Sequence, residues 1–226
     1  MATFIRNSET VARQSMSRIA PELTEKYATL IRFLTLNPDS AAKLKGKAAA
    51  DVGTADYIAL QAAGFASART PKGPEAPRTV PDEMVSFILQ TYFGVATAQL
   101  SDVQRTHQLS MAAENLIGNL LERYLAAQLE PHDWVWCSGS MVKAVDFVKA
   151  PSGEQKKWQA LQVKNRDNSE NSSSSAIRAG TEIQKWFRTF SKKAGSNWEA
   201  FPDIGSAKLS EAGFKIFVRN YLKNLA

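Results

Sequence analysis

Two short apolar runs, 142–150 (VKAVDFVKA) and 158–165 (WQALQVKN), constrain this chain more than any other feature. A segment containing Pro151, Ser152 and Gly153 separates them, so they read as neighbouring β-strands at 142–149 and 158–165 joined by a turn. Side chains alternate along a strand. Gln162 and Lys164 then share one face while Leu161 and Val163 take the other. In the first strand Val145 and Phe147 point one way and Asp146 the other. A carboxylate, an amide and an ammonium group thus meet beside a buried sheet. That grouping suits divalent-metal hydrolysis of a phosphodiester, with Asp146 holding the metal and Lys164 positioning or activating the attacking water.

The segments around the pair set the fold class. The strongest helical pattern, 101–129, precedes it, with Leu116, Leu120 and Tyr124 on its apolar face and Pro131 just beyond its end. Glu114, Gly118 and Glu122 follow one another at i+4 on one side of this helix. One of the two acids can reach the strands and complete a metal site, and Glu114 is the favoured one. A further strand is expected at 134–137, a helix near 181–191, and a last helix over 210–226 opened by Ser210 and Glu211. This is an α/β core. Residues 1–105 read as mostly helical: a segment from Ser8 to Leu36 with a break at Pro21, and a helix over 55–67. A proline-rich stretch, 68–81, follows, and then a helix from Asp82 with Met84, Phe87, Ile88 and Tyr92 on one stripe. The expected division is a helical region, 1–105, for dimerisation or clamping, and a core region, 106–226, that carries the chemistry.

Charge points to the class of partner. The 226-residue chain has a net charge of +6, and residues 156–193 hold nine Lys or Arg against three acids, so the whole excess lies just after the strand pair. A polyanion site leaves that footprint. The run from Asn165 to Ser175 is rich in groups that donate to phosphates and base edges. Arg166, Asn168, Ser169, Asn171 and Arg178 are the candidate DNA contacts. The single cysteine, Cys137, leaves no intramolecular disulfide, and no stretch approaches the roughly 18 apolar residues of a membrane span. The first residues, MATFIRNSET, lack the apolar core of a secretory signal, so a soluble, cytoplasmic protein with no membrane partner is expected. His107 and His132 are isolated, and no CxxC or HxxxH spacing suggests structural zinc.

The order helix–Glu, strand–Asp, strand–Gln-x-Lys resembles the PD-(D/E)xK nuclease superfamily over about residues 110–200. Size, charge and architecture are similar to those of type II restriction endonucleases. The stretch QVKNRDNSENSSSSAIRAGTEIQKWFRTF resembles the segment after the catalytic lysine in the SinI group of these enzymes. The resemblance implies a central mixed β-sheet flanked by helices, and Mg2+-dependent cleavage of double-stranded DNA that leaves 5′-phosphates. It puts the metal-binding Asp on Asp146, the second acid on Gln162 and the catalytic lysine on Lys164. It departs from the pattern in two places. Val145 replaces the proline, and Gln162 offers an oxygen without a charge. A glutamate from the long helix would restore that charge. The resemblance further implies a homodimer on a palindromic site, a companion DNA methyltransferase and a prokaryotic cytoplasm. Its rivals are a structure-selective repair or junction nuclease, and a non-catalytic DNA-binding protein with a decayed site.

Overall fold

The computed structural model describes residues 3–44, 50–78, 80–167, 183–202 and 209–225. The strand pair forms the middle of a four-stranded sheet in the order β1 (Trp134–Trp136), β2 (Phe147–Lys149), β3 (Gln159–Arg166) and β4 (Ile183–Thr189). β2 is antiparallel to β1 and to β3, with Phe147 opposite Leu161. β4 runs parallel to β3, with Val163 opposite Trp186. The sheet is mixed, as the resemblance implies. Parallel neighbours need a long crossover, and here it passes through 168–182, outside the described residues.

Both faces of this sheet are apolar, so both must be covered. Trp134, Trp136, Phe147, Leu161, Val163 and Trp186 form one core with the longest helix and the C-terminal helix. We number the described helices α1 (Ser8–Ser17), α2 (Thr24–Leu36), α3 (Ala55–Ser67), α4 (Glu83–Thr91), α5 (Leu100–Leu129) and α6 (Glu211–Lys223). Val135, Cys137, Val148 and Ala160 face the other way and form a second core with α1, α2 and α3. The N-terminal helices are thus the cover of one sheet face, and α5 with α6 is the cover of the other. Local signals start several of them. Thr54, Asp82 and Ser210 accept hydrogen bonds from Tyr57, Met84 and Gly213 at the first turns of α3, α4 and α6. A 3-10 turn at Pro21–Leu23 separates α1 from α2, where the sequence placed its break.

Two charge clusters, one buried and one half-buried, join the layers. The Arg123 guanidinium of α5 donates to the carbonyls of Ala68, Arg69 and Thr70 at the end of α3, at 2.8, 2.7 and 2.6 Å. Those carbonyls have no partner within the helix. Glu130, just after α5, receives Lys26 of α2 and Arg69 at 2.6 and 2.7 Å.

Two expectations are corrected. Residues 183–189 are a strand, not part of a helix. Ile183, Trp186, Phe187 and Phe190 fit a helical spacing, but Trp186 and Arg188 are buried on one face and pairing with β3 decides the outcome. The strand expected over 142–149 is only Phe147–Lys149, because Ala144 takes a left-handed backbone (φ 56°) and breaks the extended run. Val145 and Phe147 consequently enter different cores. The apolar stripe of α4 faces outward, and α4 buries no residue.

The Arg123 contacts carry a test. Arg123→Met keeps the bulk of the side chain and strips three buried carbonyls of their donor, so urea denaturation is expected to show a loss of about 2–4 kcal/mol. An unchanged midpoint would contradict this role.

Candidate active site

The site forms where the pairing of β2 with β3 ends. The backbone of Asp146 still bonds to both neighbours: its N–H donates to Leu161 O at 2.9 Å, and its carbonyl accepts from Cys137 N at 2.8 Å. Before it the chain turns away at Ala144. Val163 N–H, on the same edge of β3 as Leu161 O, is left without a strand partner, and the Asp146 carboxylate takes its place at 2.7 Å. A ladder bond thus fixes the side chain of Asp146.

Glu122 approaches from α5. Trp136 of β1 donates its indole N–H to the Glu122 carboxylate at 2.9 Å. Two guanidinium groups lie over the indole, Arg69 at 5.1 Å and Arg123 at 5.4 Å from its ring centre. Such stacking fixes a ring that would otherwise be free to turn. Burial and the nearby Asp146 raise the Glu122 carboxyl to about 7, against the pull of Trp136, Lys164 and Arg123. Burial raises Asp146 to about 6, offset in part by Val163 N–H and Lys164. Two acids and one ammonium group therefore lie within electrostatic reach of one another, with the Arg123 guanidinium beside Glu122.

Gln162 is only 1% exposed, and its Oε1 has no hydrogen-bond partner. A buried carbonyl oxygen without a donor costs stability. A divalent cation is the kind of group that satisfies such an oxygen and the two desolvated carboxylates together, since Mg2+ and Ca2+ take oxygen ligands. Among the described residues no group of three or more His, Cys, Asp or Glu is clustered. The fit therefore rests on Glu122, Asp146 and the neutral oxygen of Gln162.

Glu114 lies elsewhere. It is exposed, two turns earlier on α5, and lines a cleft of about 690 Å3 with Asn165, Arg166, Arg188, Phe190 and Lys193. Of the candidate DNA contacts, Arg166 lies on this cleft, while Asn168, Ser169, Asn171 and Arg178 fall outside the described residues. Arg188, counted in the basic segment, is buried and bonded to Glu211 at 2.7 Å and to Asn165 Oδ1 at 3.0 Å. It braces β3 against α6. The sequence reading left out Trp136 altogether. A partial signal for Glu122 was present, because LLERYLAA around it is denser in apolar residues than AAENLIGN around Glu114, although each acid is followed by a polar residue, Arg123 and Asn115.

The profile of the SinI restriction endonuclease family matches residues 8–224. The type II restriction enzyme SinI of Salmonella infantis is 48% identical over 224 residues, 98% of this chain and 97% of the relative. The type II restriction enzyme Eco47I of Escherichia coli is 48% identical over 222 residues, 97% of this chain and 96% of the relative. The likeness includes the N-terminal helices, where the sequence alone carried no resemblance.

The raised carboxyls set a pH dependence for the metal-free protein. Both acids bind protons more tightly when folded, so their contribution to stability is complete below the ordinary carboxylate range. It is lost as pH rises through about 6 for Asp146 and about 7 for Glu122. Glu122→Gln removes the larger share. The variant is expected to lie within about 1 kcal/mol of the parent at pH 5 and to be about 2–3 kcal/mol more stable at pH 8. Urea titrations at the two pH values read this directly, and a variant less stable at pH 8 would contradict the buried-acid account.

Proposed function

This chain belongs to the SinI restriction endonuclease family, and from that premise we propose how it cuts DNA. The protein is a sequence-specific restriction endonuclease of type II. The catalytic residues we assign are Asp146, Glu122, Gln162 and Lys164. The observation that carries the assignment is Glu122, held by Trp136, facing Asp146 beside Lys164.

Hydrolysis of a phosphodiester puts further negative charge on the phosphoryl oxygens in the transition state. Asp146 and Glu122 would hold a divalent cation, Mg2+ in our reading, and Gln162 would lend its free carbonyl oxygen. When bound, the cation supplies Lewis acidity at the scissile phosphate and makes water a better nucleophile at neutral pH. Glu122 supplies the charge that the amide at Gln162 lacks. Lys164 orients the nucleophile and offsets the developing charge. Burial of the two acids strengthens each of these interactions. Arg166 and Lys193, on the cleft at the end of β3, would meet the DNA backbone. The sequence adds Asn168, Ser169, Asn171 and Arg178 as contacts.

The products in this reading carry 5′-phosphates. On a palindromic site each strand requires its own catalytic centre, so two copies act together. A DNA methyltransferase of the same specificity would protect the host genome, and the enzyme would work in a prokaryotic cytoplasm. No described helix is long and apolar enough to cross a membrane.

Digestion of plasmid and phage DNA with Mg2+ tests the assignment. The parent is expected to give discrete fragments, and Lys164→Ala and Glu122→Gln to lose at least about 100-fold in rate, the scale of a lost transition-state contact. Glu114→Gln is expected to cut within about threefold of the parent, as a surface change should. Full activity in Glu122→Gln together with a dead Glu114→Gln would move the second acid back to Glu114.

A further inference from the structure

The outward stripe of α4 is part of a larger apolar surface. Met84, Phe87 and Ile88 on α4, Tyr92 and Phe93 just after it, and Val103 on α5 are all exposed, Tyr92 to 82%. The first buried residue of α5 is Ala112, so its first 12 residues, about 18 Å of helix, bury nothing. Gln104 donates to Ser86 at 2.9 Å and ties α4 to this part of α5. The two helices form an arm, apart from both cores of the fold.

Scaled by exposure, the large apolar side chains of the arm leave roughly 800 Å2 open, at about 150–250 Å2 for each fully exposed aromatic. That exceeds the ~300–600 Å2 of the largest patch on an ordinary monomer. It matches the ~800 Å2 that each partner gives to a stable interface. Residues 80–112 carry only Asp82, Glu83, Asp102 and Arg105 as formal charges. One basic residue against three acids does not suit DNA or an anionic lipid surface. A sparsely charged apolar face can meet its own copy across a twofold axis with little like-charge repulsion.

We propose that the α4–α5 arm is the dimerisation surface, and that its occupant is the arm of a second copy of this chain. The inference deepens the two-copy reading above and rests on it. It also says that the dimer forms before DNA or metal is bound, because none of the residues assigned to catalysis lies on the arm.

Sedimentation velocity of the full chain, at micromolar concentration without DNA or metal, tests it. The expected species has twice the 24.9 kDa chain mass. Phe87→Asp with Ile88→Asp is expected to weaken association at least 100-fold and leave the far-UV circular dichroism spectrum of a folded chain in place, since both side chains are exposed. Tyr92→Ser with Phe93→Ser is the second variant, should the first fail to fold, and it is expected to do the same. A parent chain that stays monomeric, whether or not its own segments cover the arm, overturns the proposal. A dimer that both folded variants leave intact overturns it too. Size is read without cleavage: a chain that dimerises through the arm and never cuts DNA would leave this inference standing and remove the nuclease mechanism.

Discussion

Two half-buried carboxylates that burial and mutual repulsion push toward protonation are the constraint around which this structure is built. Glu122 and Asp146 oppose each other, Lys164 pulls on both, and Arg123 pulls on Glu122. Such a pair persists only where the rest of the fold is stable enough to hold it. The fold does so through hydrogen bonds that leave each acid no freedom. Val163 N–H takes Asp146 at the end of a strand pairing, and Trp136 takes Glu122 from the neighbouring strand. The desolvation of the two acids, with the repulsion between them, is the property that makes the site a receptor for a cation.

Those hydrogen bonds depend on the whole three-layer body. Trp136 stays in place because Arg69 and Arg123 stack on its ring, and the same arginines fasten the end of α3 to α5 and to Glu130. A change in the N-terminal layer therefore reaches the catalytic acids through two guanidinium groups. On the other side, Arg188 links Asn165, next to Lys164, to Glu211 of α6. The lysine and the two acids are thus held by different layers, and their mutual position reports on the packing of the entire chain.

The strand pair, the turn between its strands, α3, α5 and the basic segment were legible in the sequence because local pattern and tertiary fold agree there. The sequence also put Asp146, Gln162 and Lys164 forward as site residues, through alternation on two strands. What it missed has physical causes. Residues 183–189 satisfy both a helical and a strand spacing, and only pairing with β3 separates the two. Glu114 and Glu122 occupy the same side of one helix, and sequence period does not say where the helix leaves the body. The structure answers that at Ala112, so the later acid meets the sheet and the earlier one does not. The stripe on α4 was legible as amphipathic, but no local rule tells whether its apolar side covers the chain's own core or another molecule.

The most direct measurement is calorimetric titration of the DNA-free protein with Mg2+ and Mn2+, comparing the parent with Glu122→Gln, Asp146→Asn and Glu114→Gln. If the two buried acids form the cation site, the parent binds and each of the first two variants loses at least about tenfold in affinity, the cost of one carboxylate's share of the charge. Glu114→Gln binds as the parent does. Parent-like binding in both Glu122→Gln and Asp146→Asn would contradict the account, and a selective loss in Glu114→Gln would locate the cation on the other cleft.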